Sequence, residues 1–324
     1  MIRRPPRSTL DRSSAASDVY KRQPMDQSRP LNLVWRRTIL DGVSEAQFFS
    51  HTLLARLKRP LRWIAVEDQA ALPEMDDLLI CSFGDCGSYL RELRASGRRN
   101  LGVLHLGDEL GQDNISFYTD ADYVLRHYYR PGLLRRGRPG CEIAWVPNGW
   151  ARSVGPFAAK HHLPFEEREH EFFFAGYKGG EGMGLSDRQA MLEALTKLGR
   201  PATIILTKGF GQGLGAMAYA GYLGNSKFAL APAGNARETI RFYDALECGA
   251  IPVVTDGKWL HSKDGIAALG LPPVVILKDW GQLNKVGEGA FNEVMRGDVV
   301  EWWTKLKDHL SARVCGIIET SFAV

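Results

Sequence analysis

Residues 225–254 read NSKFALAPAGNARETIRFYDALECGAIPVV, and this stretch decides the fold. Its first apolar run, Lys227–Ala231, predicts a short strand, and the Pro, Gly and Asn residues that follow predict a turn. A helix comes next, and a second buried strand begins at about Ile251. A strand, a turn and a helix in this order bring backbone N–H groups and the positive end of the helix to one point, which suits a phosphate.

Three charged residues of this stretch, Glu238, Arg241 and Asp244, are three apart and are predicted to lie along one face of the helix. An arginine beside such a turn can pair with a diphosphate, and an aspartate one turn later can accept hydrogen bonds from ribose hydroxyls. A single glycine turn is weak evidence by itself, and Asp244 can also be interpreted as a solvated helix residue.

The same stretch resembles the C-terminal signature of exostosin-type glycosyltransferases, the group that includes ribitol xylosyltransferases. In that signature a Ser-Lys-Phe strand leads to the pattern Arg-x-x-(Glu/Asp)-Ala-x-x-x-Gly-x-x-Pro-Val. The resemblance implies a glycosyltransferase that uses a nucleotide-sugar donor. The matching residues in this chain are Ser226, Lys227, Phe228, Arg241, Asp244, Ala245, Gly249, Pro252 and Val253.

Strand-like apolar runs alternate with helical ones on both sides of residues 151–169, which predicts two parallel α/β units. We predict an N-terminal unit at residues 24–150, a linker at 151–169 and a C-terminal unit at 170–324. The resemblance implies the GT-B architecture, in which two Rossmann-like domains face each other across a cleft. In that architecture the C-terminal domain holds most of the donor and the N-terminal domain faces the acceptor.

The remaining elements are predicted from the period of their apolar residues. The predicted strands are Leu31–Trp35, Leu61–Val66, Leu78–Ser82, Leu101–Leu106, Tyr123–His127, Ile143–Val146, Glu171–Gly176, Ala202–Leu206 and Val274–Leu277. The predicted helices are Ser44–Leu57, Ser88–Ala95, Asp187–Leu198 with Ser186 as its N-cap, and Glu301–Ala312.

A glycine-rich loop, GYKGGEGMG at residues 176–184, separates a predicted strand from a predicted helix. It has neither the Gly-x-Gly-x-x-Gly spacing of dinucleotide sites nor the Gly-Lys-Ser/Thr ending of a P-loop. The sequence therefore gives little support for binding of a nicotinamide cofactor or of ATP. Gly176 would allow a donor phosphate to approach the backbone, and Lys178 and Arg188 would supply positive charge. An ordinary surface loop, with Arg188 in solvent, is the competing interpretation.

A candidate catalytic base lies in the N-terminal unit, where the strand ending in His105-Leu-Gly-Asp-Glu109 becomes a loop. In an inverting transfer the acceptor hydroxyl loses a proton as it attacks the anomeric carbon, so a carboxylate is needed nearby. Asp108 or Glu109 has the right position, and exostosin-like relatives carry a similar Gly-Asp-Glu. Acidic residues also cap turns. The turn Ser82–Gly87 is a second possible acceptor loop.

Neither a metal nor an organic cofactor is expected. Asp120-Ala-Asp122 fits the Asp-x-Asp pattern of metal-dependent glycosyltransferases, but it precedes an apolar strand instead of ending one. The five cysteines are scattered and contain no Cys-x-x-Cys pair, which favours reduced thiols in a cytoplasmic protein over a zinc site or a disulfide framework. The expected partners are the donor and a glycan or polyol acceptor.

The N-terminal residues 1–23 are interpreted as foreign to the fold, because they resemble translated sequencing-adapter read-through. They carry six Lys or Arg residues against two Asp, so removing them brings the net charge from +4 to zero. The basic balance therefore gives no support for a nucleic-acid partner. The segment has no apolar run long enough for a signal peptide or a membrane span, and any membrane contact is expected to be peripheral.

The sequence thus predicts an inverting, metal-independent glycosyltransferase. Two alternatives stay open. A fucosyltransferase-like GT-B enzyme has related motifs, although Arg241 stands where those enzymes carry a lysine. A noncatalytic protein that binds sugar or nucleotide would keep the fold without turnover.

Overall fold

The computed structural model describes residues 29–35, 45–65, 76–130, 140–151, 153–157, 159–177, 183–209, 212–255, 259–260, 269–287 and 292–321. The segment 1–23 and Lys178, both discussed above, lie outside these ranges. The described residues form two sheets, one of six strands and one of five, and every strand pair is parallel. The predicted α/β class with two Rossmann-like units is confirmed.

The N-terminal sheet has the strand order β2-β1-β3-β4-β5-β6. Four of its strands, β1, β3, β4 and β5, are buried along most or all of their length, because helices and loops cover both faces of a parallel sheet. All six residues of β4 and all five of β1, for example, are buried. The strands are β1 (Leu31–Trp35), β2 (Leu61–Ala65), β3 (Leu78–Phe83), β4 (Leu101–Leu106), β5 (Tyr123–Arg126) and β6 (Glu142–Trp145).

The C-terminal sheet has the strand order β11-β10-β9-β7-β8. Its first strand in the chain, β7, lies between β8 and β9, so the order of connection reverses beside it. The same reversal occurs next to β1 in the first sheet. The strands are β7 (His170–Tyr177), β8 (Ala202–Thr207), β9 (Ser226–Leu230), β10 (Ile251–Thr255) and β11 (Val275–Leu277).

Six α-helices occur in the described residues: α1 (Ala46–Phe48), α2 (Gly87–Ala95), α3 (Met183–Leu198), α4 (Ala216–Gly224), α5 (Ile240–Glu247) and α6 (Glu293–Ser321). A π-helical turn, Phe49–Leu53, extends α1. Short 3-10 turns occupy Ser116–Asp120, Ala159–His161, Phe165–Glu167 and Trp280–Lys285.

Helix α6 returns from the C-terminal sheet to pack on the N-terminal unit. Ser311 Oγ accepts the backbone N–H of Arg56 at 3.2 Å, and Cys315 Sγ lies 3.5 Å from the carbonyl oxygen of Leu53. One buried apolar cluster contains residues of both units and of α6, from Leu31 through Phe172 to Ile318. The two units therefore share a core.

Several predicted boundaries need correction. Helix α3 begins at Met183, so Ser186 lies inside its first turn and is not the N-cap. The helix predicted at Ser44–Leu57 is an α-helix only over Ala46–Phe48 and continues as the π-helical turn to Leu53, and its predicted start, Ser44, lies outside the described residues. Helix α4 was not predicted, and α6 is much longer than the predicted Glu301–Ala312. Helix α5 begins at Ile240, so Glu238 precedes it and does not share a helical face with Arg241 and Asp244.

Candidate functional site

The candidate site lies at the carboxyl ends of β7 and β9, where the strand order reverses and where open parallel sheets bind ligands. Arg241, in the first turn of α5, donates from Nε to the carbonyl oxygen of Ala175 at 3.0 Å. Its Nη2 lies so close to Gly176 that a Cβ added there would be 2.5 Å away. The missing side chain at Gly176 therefore makes room for the guanidinium of Arg241.

A second guanidinium, that of Arg188 in α3, reaches the same point. Its Nη1 donates to the carbonyl oxygen of Tyr177 at 2.8 Å. Its Nη2 lies 3.7 Å from the position a Cβ would take on Gly234, in the turn after β9. Burial lowers the pKa of Arg188 and the charge of Arg241 lowers it further. Two cations this close repel each other, and a bound anion would remove the repulsion.

Asp187 holds the surrounding backbone in place, and its role was missed from the sequence. Its carboxylate accepts hydrogen bonds from the N–H of Ala233 at 2.6 Å, from Trp280 Nε1 at 2.9 Å and from Thr255 Oγ1 at 3.2 Å. It thereby ties α3 to the turn after β9 and to the end of β10. Its position directly before Arg188 was the only signal available in the sequence.

In the N-terminal unit, Asp108 organises the loop that follows β4. One carboxylate oxygen accepts the N–H groups of Gln112 and Asp113 at 2.8 and 3.3 Å, and the other accepts Arg126 Nη2 at 3.0 Å. Burial alone would raise the pKa of Asp108, but these hydrogen bonds and the charge of Arg126 bring it below its ordinary value. A buried carboxylate with these partners is a poor proton acceptor.

Glu109, the next residue, is only partly buried. Tyr128 Oη donates to its carboxylate at 3.1 Å, and Arg130 Nη2 donates to its backbone oxygen at 2.8 Å. The charge of Glu109 raises the pKa of Arg188, against the stronger opposite effects of burial and of Arg241. The electrostatic effect connects the loop of one unit with the arginine pair of the other.

Glu238 joins the two units and is closed to ligands, being 5 % exposed. It accepts hydrogen bonds from the N–H of Tyr129 at 3.1 Å, from Trp145 Nε1 at 3.2 Å and from Tyr243 Oη at 2.8 Å. Burial raises the pKa of Glu238 to about 6, and these hydrogen bonds oppose the rise. The structure thus places Glu238 in the interface between the two units.

Asp244 lies in the core and is 1 % exposed. Its Oδ1 accepts the N–H of Ala151 at 2.7 Å, and the hydroxyl of Tyr219 also donates to it. Burial raises the pKa of Asp244 to about 7, against the lowering effect of these groups and of Arg241. The structure thus places the carboxylate of Asp244 inside the core, and its contact with a ribose stays a prediction.

Ser226 and Lys227 lie at the amino end of β9, away from the carboxyl end where the two arginines meet. Ser226 is fully buried and its Oγ donates to the carbonyl oxygen of Tyr222 at 2.5 Å. The ammonium of Lys227 lies over the ring of Phe165 and 3.7 Å from the carboxylate of Glu166. The structure therefore does not bring these two predicted donor residues to the site.

The Asp-x-Asp pattern forms structural ion pairs. Asp120 pairs with Arg91 at 3.1 Å, and Asp122 pairs with Arg94 at 2.6 Å. Asp122 also accepts the N–H of Leu101 at 2.7 Å. Across the described ranges, no group of three or more His, Cys, Asp or Glu residues is arranged to hold a metal ion.

Of the predicted site residues, the structure brings together Gly176, Arg188 and Arg241 at one edge of the C-terminal sheet, with Glu109 close enough for its charge to act. Asp108, which precedes Glu109 in the chain, is buried against Arg126.

The comparison with protein families gives one finding for the C-terminal part of the chain. Residues 213–323, about a third of the chain, match the family described as the RXYLT1 C-terminal domain. The match likens this part of the chain to a glycosyltransferase domain. Against curated proteins the chain shows no match. None of the helices in the described part of the chain has the length and apolarity needed to cross a membrane.

Proposed function

We propose that the protein is an exostosin-like GT-B enzyme. It transfers a sugar from a nucleotide-sugar donor to a hydroxyl group of a glycan or polyol. The observation that carries this proposal is the pair of guanidinium groups, Arg188 and Arg241, at the carboxyl edge of the second sheet. The family match in residues 213–323 supports the same class of reaction.

The donor diphosphate binds between Arg188, Arg241 and the backbone at Gly176. Arginine pairs with phosphate oxygens through two parallel N–H donors, and such charge-assisted hydrogen bonds are about twice as strong as neutral ones. The N-terminus of α5, where the N-cap Thr239 makes no side-chain cap hydrogen bond, adds its positive helix end at the same place. Lys178 remains a further predicted donor contact.

Glu109 acts as the general base. It takes the proton of the acceptor hydroxyl while the oxygen of that hydroxyl forms a bond to the anomeric carbon and the bond to the diphosphate breaks. The displacement from the opposite face inverts the anomeric centre. Asp108 positions the loop, because its own oxygens already accept three hydrogen bonds.

The two arginines also stabilise the diphosphate as it leaves with its extra negative charge. Preorganised cations at a developing charge are a large source of catalysis in a site shielded from water. In our proposal they take the part that a divalent metal plays in metal-dependent glycosyltransferases, so turnover is expected to persist after treatment with a chelator.

Calorimetry with UDP, GDP, ADP and CDP, paired with transfer and donor-hydrolysis assays, tests the proposal. Arg241→Ala should weaken nucleoside diphosphate binding by about 1.5–3 kcal/mol, the range for hydrogen bonds to charged groups. Lys227→Ala is the matched control, since Lys227 lies at the other end of β9 and its loss should leave binding unchanged. Equal affinities of the Arg241 variant and the parent would refute the donor site.

Glu109→Gln should lower the rate of sugar transfer about 10²–10⁴-fold, because the amide cannot take the proton of the acceptor hydroxyl. The affinity for the nucleoside diphosphate should stay unchanged. If the parent binds a nucleoside diphosphate but neither transfers nor hydrolyses any donor of the matching base, the protein is a noncatalytic binder.

A further inference from the structure

Tyr128, in the turn that follows β5, has a backbone conformation that is uncommon for an aromatic residue. Its φ is +57°, in the left-handed region that glycine favours. The turn is tied on both sides of it. The N–H of His127 donates to the carbonyl oxygen of His105 at 3.0 Å, and the N–H of Tyr129 donates to the carboxylate of Glu238 at 3.1 Å. Residues strained in this way persist where their neighbours hold them, and they cluster at functional sites.

The turn brings the hydroxyl of Tyr128 to Glu109, in the loop after β4. Tyr128 Oη donates to Oε1 of Glu109 at 3.1 Å. Tyr128 is buried, and burial raises the pKa of its hydroxyl far above the ordinary value of 10. The negative charges of Glu109, Glu45 and Glu238 raise this pKa further. The hydroxyl therefore keeps its proton at neutral pH and serves the carboxylate as a donor.

A second residue of the same segment, Arg130, fixes the backbone of Glu109. Its Nη2 donates to the carbonyl oxygen of Glu109 at 2.8 Å. The guanidinium lies against Gly111, where an added Cβ would clash with it. Residues 128–130 thus hold both the side chain and the backbone of Glu109.

This arrangement leaves one carboxylate oxygen of Glu109 for chemistry. The hydroxyl of Tyr128 occupies Oε1, whereas no donor in the described part of the chain forms a hydrogen bond to Oε2. The other charged group that acts on Glu109 is Arg188, across the interface between the units. A carboxylate that is held through one oxygen presents the other in a defined direction.

We propose that Tyr128 is a positioning residue for Glu109, an assignment that rests on the function proposed above. By donating to Oε1, its hydroxyl orients the carboxylate and stabilises its ionised form. Oε2 then accepts the proton of the attacking hydroxyl, and Tyr128 keeps its own proton throughout the step. A catalytic group that is held before the reaction acts from a productive geometry, and a small displacement is costly.

Tyr128→Phe removes the hydroxyl and keeps the ring. The measured reaction is the release of nucleoside diphosphate from UDP-glucose, UDP-xylose, GDP-mannose and ADP-glucose between pH 5 and pH 9, with water in place of the acceptor. We expect kcat at neutral pH to fall about tenfold to a hundredfold. The acid limb of the pH–rate profile should move to higher pH by about one unit, because a carboxylate that loses a hydrogen bond holds a proton more tightly. The nucleoside diphosphate affinity should not change.

Tyr89→Phe is the matched control. The hydroxyl of Tyr89, on α2 of the same unit, is buried and has no hydrogen-bond partner among the described residues, so its loss should leave rate and pH profile unchanged. Glu109→Gln identifies the limb, because a variant without the carboxylate should lack it. A slower Tyr128→Phe variant whose acid limb stays in place would show a merely structural effect and overturn the assignment. An equal shift in Tyr89→Phe would overturn it as well.

The two proposals fail in different ways. If the parent protein neither hydrolyses nor transfers from any of these nucleotide sugars, the proposed function fails and the role of Tyr128 fails with it. If Glu109→Gln is as active as the parent, Glu109 is not the base and Tyr128 has nothing to position. If the parent is active, Glu109→Gln is not, and Tyr128→Phe keeps the parental profile, the positioning role alone is refuted.

Discussion

At the scale of single residues, Gly176 is the position where one methyl group decides whether Arg241 can keep its place. Its φ lies outside the left-handed region, so an alanine there would be strained by contact with Arg241 Nη2 and not by its backbone. Gly176→Ala should therefore lower nucleoside diphosphate affinity about tenfold or more, by displacing a charge-assisted donor. Calorimetry measures this change.

Gly221→Ala is the control for that substitution. Gly221 lies within α4 and an added Cβ meets no atom within 4 Å, so the same methyl group should leave nucleotide affinity unchanged. It should also stabilise the helix by up to about 1 kcal/mol. A similar loss of affinity in both variants would show that the effect does not come from Arg241.

Adjacent residues in the sequence can have different roles that only burial reveals. Asp108 and Glu109 were equivalent candidates for the base, because both follow the same strand. The fold turns Asp108 inward to Arg126 and leaves Glu109 partly exposed. Arg241 was predicted from its motif, whereas Asp187 was not, since its three hydrogen bonds reach parts of the chain 46 to 93 residues away.

At the scale of elements, the sequence predicted the strands better than the helices. The apolar runs of β1 and β4 have clear ends, and the predicted bounds agree with the structure. Helix α4, AMAYAGYLG, has small residues and two glycines in place of an amphipathic period, which is why it was missed. Glu238 was predicted to lie within the helix, but α5 begins two residues later, at Ile240.

The junction of α5, α6 and the linker depends on one buried carboxylate, that of Glu247. It accepts hydrogen bonds from Trp303 Nε1 at 2.6 Å, Lys307 Nζ at 2.7 Å and the N–H of Phe157 at 2.7 Å. Glu247→Ala should lower the free energy of unfolding by about 3–5 kcal/mol, the usual effect of removing one partner of a buried ion pair. Urea denaturation measures the loss.

Glu301→Ala provides the comparison on α6. Glu301 forms an exposed ion pair with Lys305 one turn along the helix, and exposed pairs contribute little to stability. We expect no measurable change in the urea midpoint. If Glu247→Ala were equally harmless, the carboxylate would not be what holds α6 to α5.

At the scale of the whole molecule, buried aromatic rings fix the position of one unit against the other. Phe48 of the N-terminal unit contacts Trp150 and Trp303 with ring centroids 5.7 and 6.0 Å apart, and Trp303 contacts Tyr243 of α5 at 5.8 Å. A large apolar interface of this kind resists free movement between domains. In the proposed enzyme, this interface holds the loop that carries Glu109 in a fixed position relative to the two arginines of the other unit.

The same burial predicts an unusual dependence of stability on pH. Burial raises the pKa of Asp244 from its ordinary value of 3.8 to about 7, so between these two values the folded protein holds a proton that the unfolded chain releases. Stability from this group is therefore fully present below about pH 4 and is lost as the pH rises towards 7. Ionised carboxylates that are stabilised by folding have the opposite effect.

Asp244→Asn isolates this contribution, because the amide keeps the shape of the side chain and an oxygen for the N–H of Ala151 but does not titrate. Between pH 5 and pH 8 the melting temperature of the parent should fall relative to that of the variant. The variant has no proton at position 244 to release on unfolding, so this group makes no pH-dependent contribution to its stability. Asp308→Asn, an exposed carboxylate on α6, should follow the parent at every pH. Parallel curves for the parent and Asp244→Asn would mean that Asp244 is already ionised at pH 5, held as a carboxylate by Ala151, Tyr219 and Arg241 in spite of its burial.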